Sequence, residues 1–341
     1  MAYSEKEKES VLPSRVSSWT NSTHLDMLRV FYAPNGFADP SDIFEKLNKT
    51  MTSKRQISPL PKRVQCVKEF ILDYVNFSIV DDENSLRTDP EVTKKYIVEV
   101  EECMKKLSSL DIFEYMRTKG IQEHELELRR LLTKVYAKSH DFLEMVIKFM
   151  KMMLLPTRPF KSAYTELIRV FSNMCDLTSV PGDTFRRLIT LKDEAVVCLP
   201  DIRYFLEAPT SVSDPKDLLV LKIAELKREK KWVNREDKDF NIVMEVDDKV
   251  LGQHGGELIV ESPFSFFKPY VLGALCLKTE IIFTVLEMDI QHFDKLVSNE
   301  YLTSEKAYIY YTKPYNMMIA EERGMLLDLL LRLSLFQRNI H

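Results

Sequence analysis

The sequence predicts an α+β protein in which helices dominate the first half of the chain and a mixed β-sheet is built mostly from the second. Three observations carry that expectation. Between residues 62 and 174 the apolar side chains recur with helical spacing. Beyond residue 184 they gather into short runs rich in Val, Ile and Leu, as buried strands do. The stretch from Ile319 to Phe336 is apolar nearly all round, with Leu326, Leu327, Leu329, Leu330, Leu331 and Leu333, so it must pack centrally.

In order, residues 1–23 are polar and Ser-rich and read as a disordered tail, leaving residues 24–341 as one domain. Asp26 to Pro34 reads as an extended segment closed by proline, and Ser41 to Met51 as a short helix. Lys62 to Ile79 is an amphipathic helix with Val64, Val67, Phe70, Ile71, Tyr74 and Val75 on its inner face. Polar residues 81–88 read as a loop. Asp89-Pro90 is a helix start, an N-cap side chain followed by proline in the first turn, for a helix through Leu107. Helices at 122–138 and 140–155 follow, the second rich in Met and Phe. A helix from Ser162 to Met174 carries Arg169. Residues 184–206 read as β structure, Asp214-Pro215 as the start of a helix through Leu226, and 240–247 and 257–261 as strands joined by a turn at Gly255-Gly256. Phe264 to Leu277 reads as a helix kinked at Pro269, and 280–286 and 307–311 as strands.

Composition narrows the class. With 45% hydrophobic and 29% charged residues the chain is globular, and a net charge of -4 gives no global signal for nucleic acid, so any RNA-binding surface must be local. Five cysteines without a C-x-x-C spacing argue against a disulfide framework and against structural zinc, and so for a reducing compartment. No apolar h-region or membrane-length stretch is present, which points to an intracellular protein. Eight glycines form no phosphate-binding loop.

Four acids form the candidate site. The expected helix carries Glu225, a period-two strand puts Glu245 and Asp247 on one face, and Glu261 ends the following strand. Carboxylates brought together in this way are the hard oxygen ligands that Mg²⁺ or Mn²⁺ requires, and two such ions can clamp the attacking and leaving oxygens of a phosphodiester. The alternative is that these are polar residues on the outside of a half-buried hairpin. Arg158, Lys161, Arg169, Arg186, Arg187 and Lys268 are candidates for phosphate contacts.

The order of these motifs resembles the DXO-type decapping exoribonucleases, which share a nuclease core with the PD-(D/E)xK enzymes. Leu28-Arg29-Val30-Phe31-Tyr32-Ala33-Pro34 resembles that family's L-R-Y-Y-x-P segment. The run Leu221-Lys222-Ile223-Ala224-Glu225 falls where the family has G-Φ-x-Φ-E, Glu245-Val246-Asp247 where it has E-Φ-D, and Val260-Glu261-Ser262-Pro263 where it has V-E-Φ-K. The resemblance covers roughly residues 165–337 and implies a nuclease-like mixed sheet flanked by many helices, with Glu225, Glu245, Asp247 and Glu261 as ligands. Three positions depart from the family pattern. Leu221 replaces its glycine, Pro263 the lysine that orients the attacking water, and Ala274 the glutamine of A-Q-S-F-L; proline in particular can donate nothing.

That damaged pattern resembles a degenerate branch of the family found in the insect germline. It implies a nuclear, catalytically impaired protein that binds or shields RNA 5′ ends, with chromatin-linked partners such as Rhino- and Deadlock-type factors, in support of piRNA precursors and RNA-mediated silencing. Two alternatives stand beside it: an active Mg²⁺- or Mn²⁺-dependent decapping 5′-3′ exonuclease, and a helical scaffold with no RNA role, docking a partner on its Met-rich or terminal leucine helix.

Overall fold

The computed structural model describes residues 12–37, 39–49, 61–157, 159–181, 186–206, 217–224 and 240–338. The chain enters through two short turns, Val16–Ser18 and Asn21–Leu25, and strand β1 (Val30–Tyr32). The expected disordered tail is corrected for residues 12–23. Leu12, Val16 and Trp19 are buried, and the Trp19 indole Nε1 donates to the Pro13 carbonyl. Three apolar anchors inside a Ser-rich stretch are enough to hold it on the core.

Among the described residues seven helices follow: α1 (Ser41–Asn48), α2 (Lys62–Tyr74), α3 (Glu83–Thr88), α4 (Pro90–Ser108), α5 (Ile112–Thr118), α6 (Leu126–Met153) and α7 (Lys161–Met174). Asp89 caps α4 as expected, accepting from the Glu91 and Val92 amides. Helix α2 stops five residues short of Ile79, because the fully buried Arg323 takes the carbonyls of Val75 and Phe77 out of the helical ladder. The expected loop 81–88 contains α3, capped by Asp82. The two helices expected at 122–138 and 140–155 are one, α6, whose inner stripe runs unbroken through Val135, Ser139, Phe142 and Val146.

The second half supplies β2 (Val180–Pro181), β3 (Arg187–Leu191), β4 (Glu194–Cys198), β5 (Ile202–Phe205), β6 (Asp217–Ala224), α8 (Ile242–Glu245), α9 (Asp248–Glu261), β7 (Tyr270–Leu277), β8 (Glu280–Glu287), α10 (Ile290–Val297), β9 (Ala307–Tyr311), β10 (Tyr315–Asn316) and α11 (Ala320–Arg338). Among the described residues the main sheet has eight strands in the order β1-β9-β8-β7-β6-β5-β2, with β10 also on β8. It is mixed: β1 runs parallel to β9 and β6 to β7, and the other pairs are antiparallel. Strands β3 and β4 form a separate hairpin.

Alternation along β7 shows the layering. Tyr270, Leu272, Ala274 and Cys276 face a core shared with α1, α2, α4, α6, α7 and α11, whereas Val271, Leu275 and Leu277 face a second core with α9, the N-terminal arm and the β3–β4 hairpin. The α+β class with a mixed sheet and many helices is thus present. Among the described residues no helix is long and apolar enough to cross a membrane.

Four elements of the second half differ from the sequence expectation. The expected helix 215–226 is strand β6 over its described part, and the expected kinked helix 264–277 contains strand β7. Leu218–Leu221 and all eight residues of β7 are buried. Continuous burial suits a central strand covered on both faces, where helical periodicity has no solvent side to report. Conversely, the expected strands 240–247 and 257–261 are helical. Asn241 and Asp247 are N-caps, accepting from the Val243 and Lys249 amides, and Glu261 lies in the last turn of α9. Gly255-Gly256 makes no turn. With Gly252 it forms the face of α9 on which the N-terminal arm lies, and a Cβ at Gly256 would sit 2.6 Å from the side chains of Val16 and Trp19.

Candidate buried ionic site

The helix–strand exchange dismantles the expected carboxylate set. Asp247 is exposed at the start of α9 and Glu261 fully buried at its end. The length of the 14-residue helix separates them, a span of about 20 Å. Glu245 is half-buried on α8, and Glu225 lies outside the described residues. Glu245, Asp247 and Glu261 therefore cannot hold one Mg²⁺ or Mn²⁺ ion, and among the described residues no group of three or more His, Cys, Asp or Glu side chains is arranged to do so.

What the fold does assemble is a buried ionic layer between α9 and strands β3, β5 and β6. Residues Gln253, Glu257 and Glu261 share one stripe of α9 by their four-residue spacing. At the end of that stripe Glu261 is contacted by the guanidinium of the fully buried Arg203 and, at 3.1 Å, by Arg187 Nε. Arg187 Nη2 also lies 3.3 Å from Asp217 Oδ2, and its guanidinium stacks on the Phe264 ring at 3.5 Å. One turn earlier, Lys222 Nζ is placed 3.4 Å from Glu257 Oε1 and 3.2 Å from Asp201 Oδ2, while Lys161 Nζ reaches the other Asp201 oxygen at 2.6 Å. Gln253 Nε2 donates to Glu257 at 3.2 Å, and the buried His254 is hydrogen bonded through Nε2 to Thr284 on β8. The layer thus holds two neighbouring clusters, Asp217 and Glu261 with Arg187 and Arg203, and Asp201 and Glu257 with Lys161 and Lys222.

Burial dominates the electrostatics. It pushes the Glu257 carboxyl up to about 7 against the pull of Lys222, and that of Asp217 up to about 8, where Glu261 adds to the shift and Arg187 and Arg203 oppose it. It also drives His254 down to about 3, with Lys222 adding to the effect, so this imidazole is neutral. Burial pulls the Lys222 ammonium down, but Glu257 and Asp201 outweigh it, and its pKa rises. Lys222 is a permanent internal cation bridging two acids.

The expected phosphate-contact residues do not converge as a set. Arg187 is in the buried layer, Arg169 pairs with Glu166 at 2.6 Å, and Lys161 is held by Asp201. Arg186 and Lys268 are exposed, and Arg158 lies outside the described residues. Pro263 and Ala274 are far apart in role, Pro263 in the turn after α9 and Ala274 buried mid-strand in β7.

Sequence reasoning singled out Glu261, Arg187 and Lys161, in other roles, but missed Asp201, Arg203, Asp217, Lys222 and Glu257. The signal was present: Arg203 and Lys222 interrupt apolar strand runs, and a buried charge demands a partner. Comparison with known proteins gives no family to this arrangement; no family model, no curated protein and no solved structure matches the chain.

Proposed function

We propose that the chain is a catalytically silent protein on a DXO-like scaffold, of the kind represented by the insect germline protein Cutoff. In this reading it works in the nucleus by holding RNA 5′ ends, and with chromatin-linked partners of the Rhino and Deadlock type supports piRNA-precursor transcription. The observation that supports the silent half is the place of Lys222, whose ammonium stands between Asp201 and Glu257 and so occupies carboxylates that a divalent ion in this layer would need open. Each acid of the layer already has a protein cation, so recruiting Mg²⁺ there would mean breaking buried ion pairs, at a cost of several kcal/mol.

The RNA-holding half is supported by the β1–β9 end of the main sheet. There Phe31, Tyr308, Tyr310 and Phe37 make a continuous half-buried aromatic row, with ring centroids 6.4, 6.4 and 5.7 Å apart. Lys306 Nζ lies 5.9 Å from the Phe31 ring and Lys46 Nζ 3.8 Å from that of Tyr310. Aromatic faces interleaved with lysines are the chemistry on which single-stranded bases stack. A second reading, a protein scaffold with no RNA role, is favoured by the separation of the sequence-expected acids.

The experiment is incubation of the purified protein with 5′-monophosphate, 5′-triphosphate and capped RNAs in Mg²⁺ or Mn²⁺, with retention measured in parallel. No turnover is expected, together with retention that weakens at least ~10-fold in Tyr308→Ala/Tyr310→Ala. Metal-dependent cleavage would overturn the silent half, and absence of retention would leave the scaffold reading.

A further inference from the structure

Away from the ionic layer, on the helical side of the sheet, lies a cavity of about 530 Å³. It forms where the end of α6 meets α3, the β7–β8 turn and the segment after β10, and its size is that of an ordinary small-ligand site. Its buried wall is made by Phe149, Met150, Met153 and Met318, with the Tyr164 ring beside them. Thioethers and aromatic faces are adaptable, polarizable surfaces for an alkyl stem and, at the rings, for a cation.

The polar part has one sign. Asp81 and Asp82 stand exposed at the mouth, Glu83 is half-buried and Glu280 is buried, against a single cation among the described residues, Lys278. Counting charges in the lining, four acids and one lysine leave -3. The carboxylates are pre-oriented: Asp81 accepts from Tyr96 Oη at 2.6 Å and Glu83 from Tyr164 Oη at 3.0 Å. Lys278 shows what this wall accepts, its own ammonium lying 2.6 Å from Glu83 Oε2.

From this combination we infer that the cavity is a binding site for a primary ammonium carried on an aliphatic stem, with the stem against Met150, Met153 and Met318 and the ammonium against the acidic mouth. A bare divalent cation is the poorer match, because it wants an all-oxygen shell and much of this lining is thioether and ring. The same chemistry is offered by a free polyamine and by the lysine side chain of a peptide. Neither the RNA-holding reading nor the silent ionic layer is needed for this site, which sits on other elements.

Calorimetric titration of the full-length protein tests it. The probes are spermidine and acetyl-Ala-Lys-Ala-amide, with hexane-1,6-diol and the norleucine peptide as neutral comparators of similar stem. At least one amine is expected to bind roughly 10-fold or more tightly than its comparator, and the tighter of the two identifies the source. Met153→Trp, which fills the apolar wall, is expected to abolish binding, and Asp81→Asn at the exposed mouth to weaken it about 5-fold. Equal binding of amine and neutral comparator would overturn the inference. So would amine binding undiminished in both variants, with the fold confirmed by near-ultraviolet dichroism, since the amine would then be sitting on acidic surface elsewhere. Should Met153→Trp fail to fold, Asp81→Asn decides alone, and unchanged affinity there rejects the site.

Discussion

Two fully buried arginines, one on each side of the main sheet, show how differently the two halves of this molecule handle charge. On the helical side Arg323 has backbone carbonyls for partners: Met317 O at 2.8 Å, Phe77 O at 3.0 Å and Val75 O, with the guanidinium 4.1 Å from the Phe77 ring centroid. On the α9 side Arg203 faces Glu261 within a layer of acids and bases. Carbonyls do not titrate, so Arg323 is a fixed staple between α11 and the end of α2; burial lowers it only to about 9, and it stays charged at neutral pH. Carboxylates do titrate, and the layer around Arg203 holds groups that change charge near neutrality. One side of the sheet is organised for permanence, the other around a charge balance.

The sharpest way to break that contrast is to remove one partner from the layer. Arg203→Met leaves Glu261 in the core with Arg187 as its remaining cation and is expected to cost about 3 kcal/mol, read from chemical denaturation. Arg203→Met/Glu261→Leu should recover part of the loss, because the Arg203–Glu261 pair is replaced by apolar groups while Arg187 keeps Asp217. A double variant no more stable than the single one would mean that Arg203 serves the fold through packing rather than through its pair.

The next effect is pH dependence, and its sign follows from the raised carboxyl. In the unfolded chain Glu257 loses its proton near 4.5, whereas folded it keeps it to about 7. Between those values the folded state binds more protons, so stability is lost as pH rises from about 5 to 7 and levels off above the folded value. The size is roughly 3 kcal/mol at most from this group. Asp217 acts in the same direction up to about 8. Glu257→Gln is expected to flatten the slope between pH 5 and 7, measured as thermal midpoint against pH. Arg323→Met should lower stability at every pH in that window without changing the slope. Equal slopes in wild type and Glu257→Gln would remove the distinction between the two sides of the sheet.

Legibility followed the same divide. The helical half could be read because its helices have a wet face: α4 begins at Asp89-Pro90 as expected, and α7 lies where periodicity puts it, whereas α11 was legible from its unbroken leucine content. The sheet half was legible only where strands are unambiguous, as in β8 and β9. In β6 and β7 every neighbour is protein, so a run such as Leu218-Leu219-Val220-Leu221 carries no period. The acids misled for a related reason. Glu245, Asp247 and Glu261 alternate with apolar residues in short stretches, which fits a strand, but Asn241 and Asp247 serve as helix caps. The one expected ligand the site retains, Glu261, is there on an α-helix and already neutralised by arginine. Legible in principle were the charges buried within apolar runs, Arg203 and Lys222, which demanded partners that spacing alone could not name.

The smallest expected effect tests how the layered side is held shut. Helix α9 presents Gly252, Gly255 and Gly256 to the N-terminal arm, so its backbone comes close enough for Val16 and Trp19 to pack on it while its opposite stripe carries Glu257 and Glu261 into the ionic layer. In Gly256→Ala the new methyl meets the Trp19 ring and a Val16 methyl at 2.6 Å, and both belong to a short arm rather than to the sheet. The arm can yield. The variant is therefore expected to lose only about 1–2 kcal/mol, with the loss concentrated in faster amide exchange over residues 12–25. If exchange instead quickens through β5 and β6, overpacking has been transmitted across α9. The arm would then be a clamp that sets the position of the ionic layer, and the two sides of α9 would have to be treated as one mechanical unit.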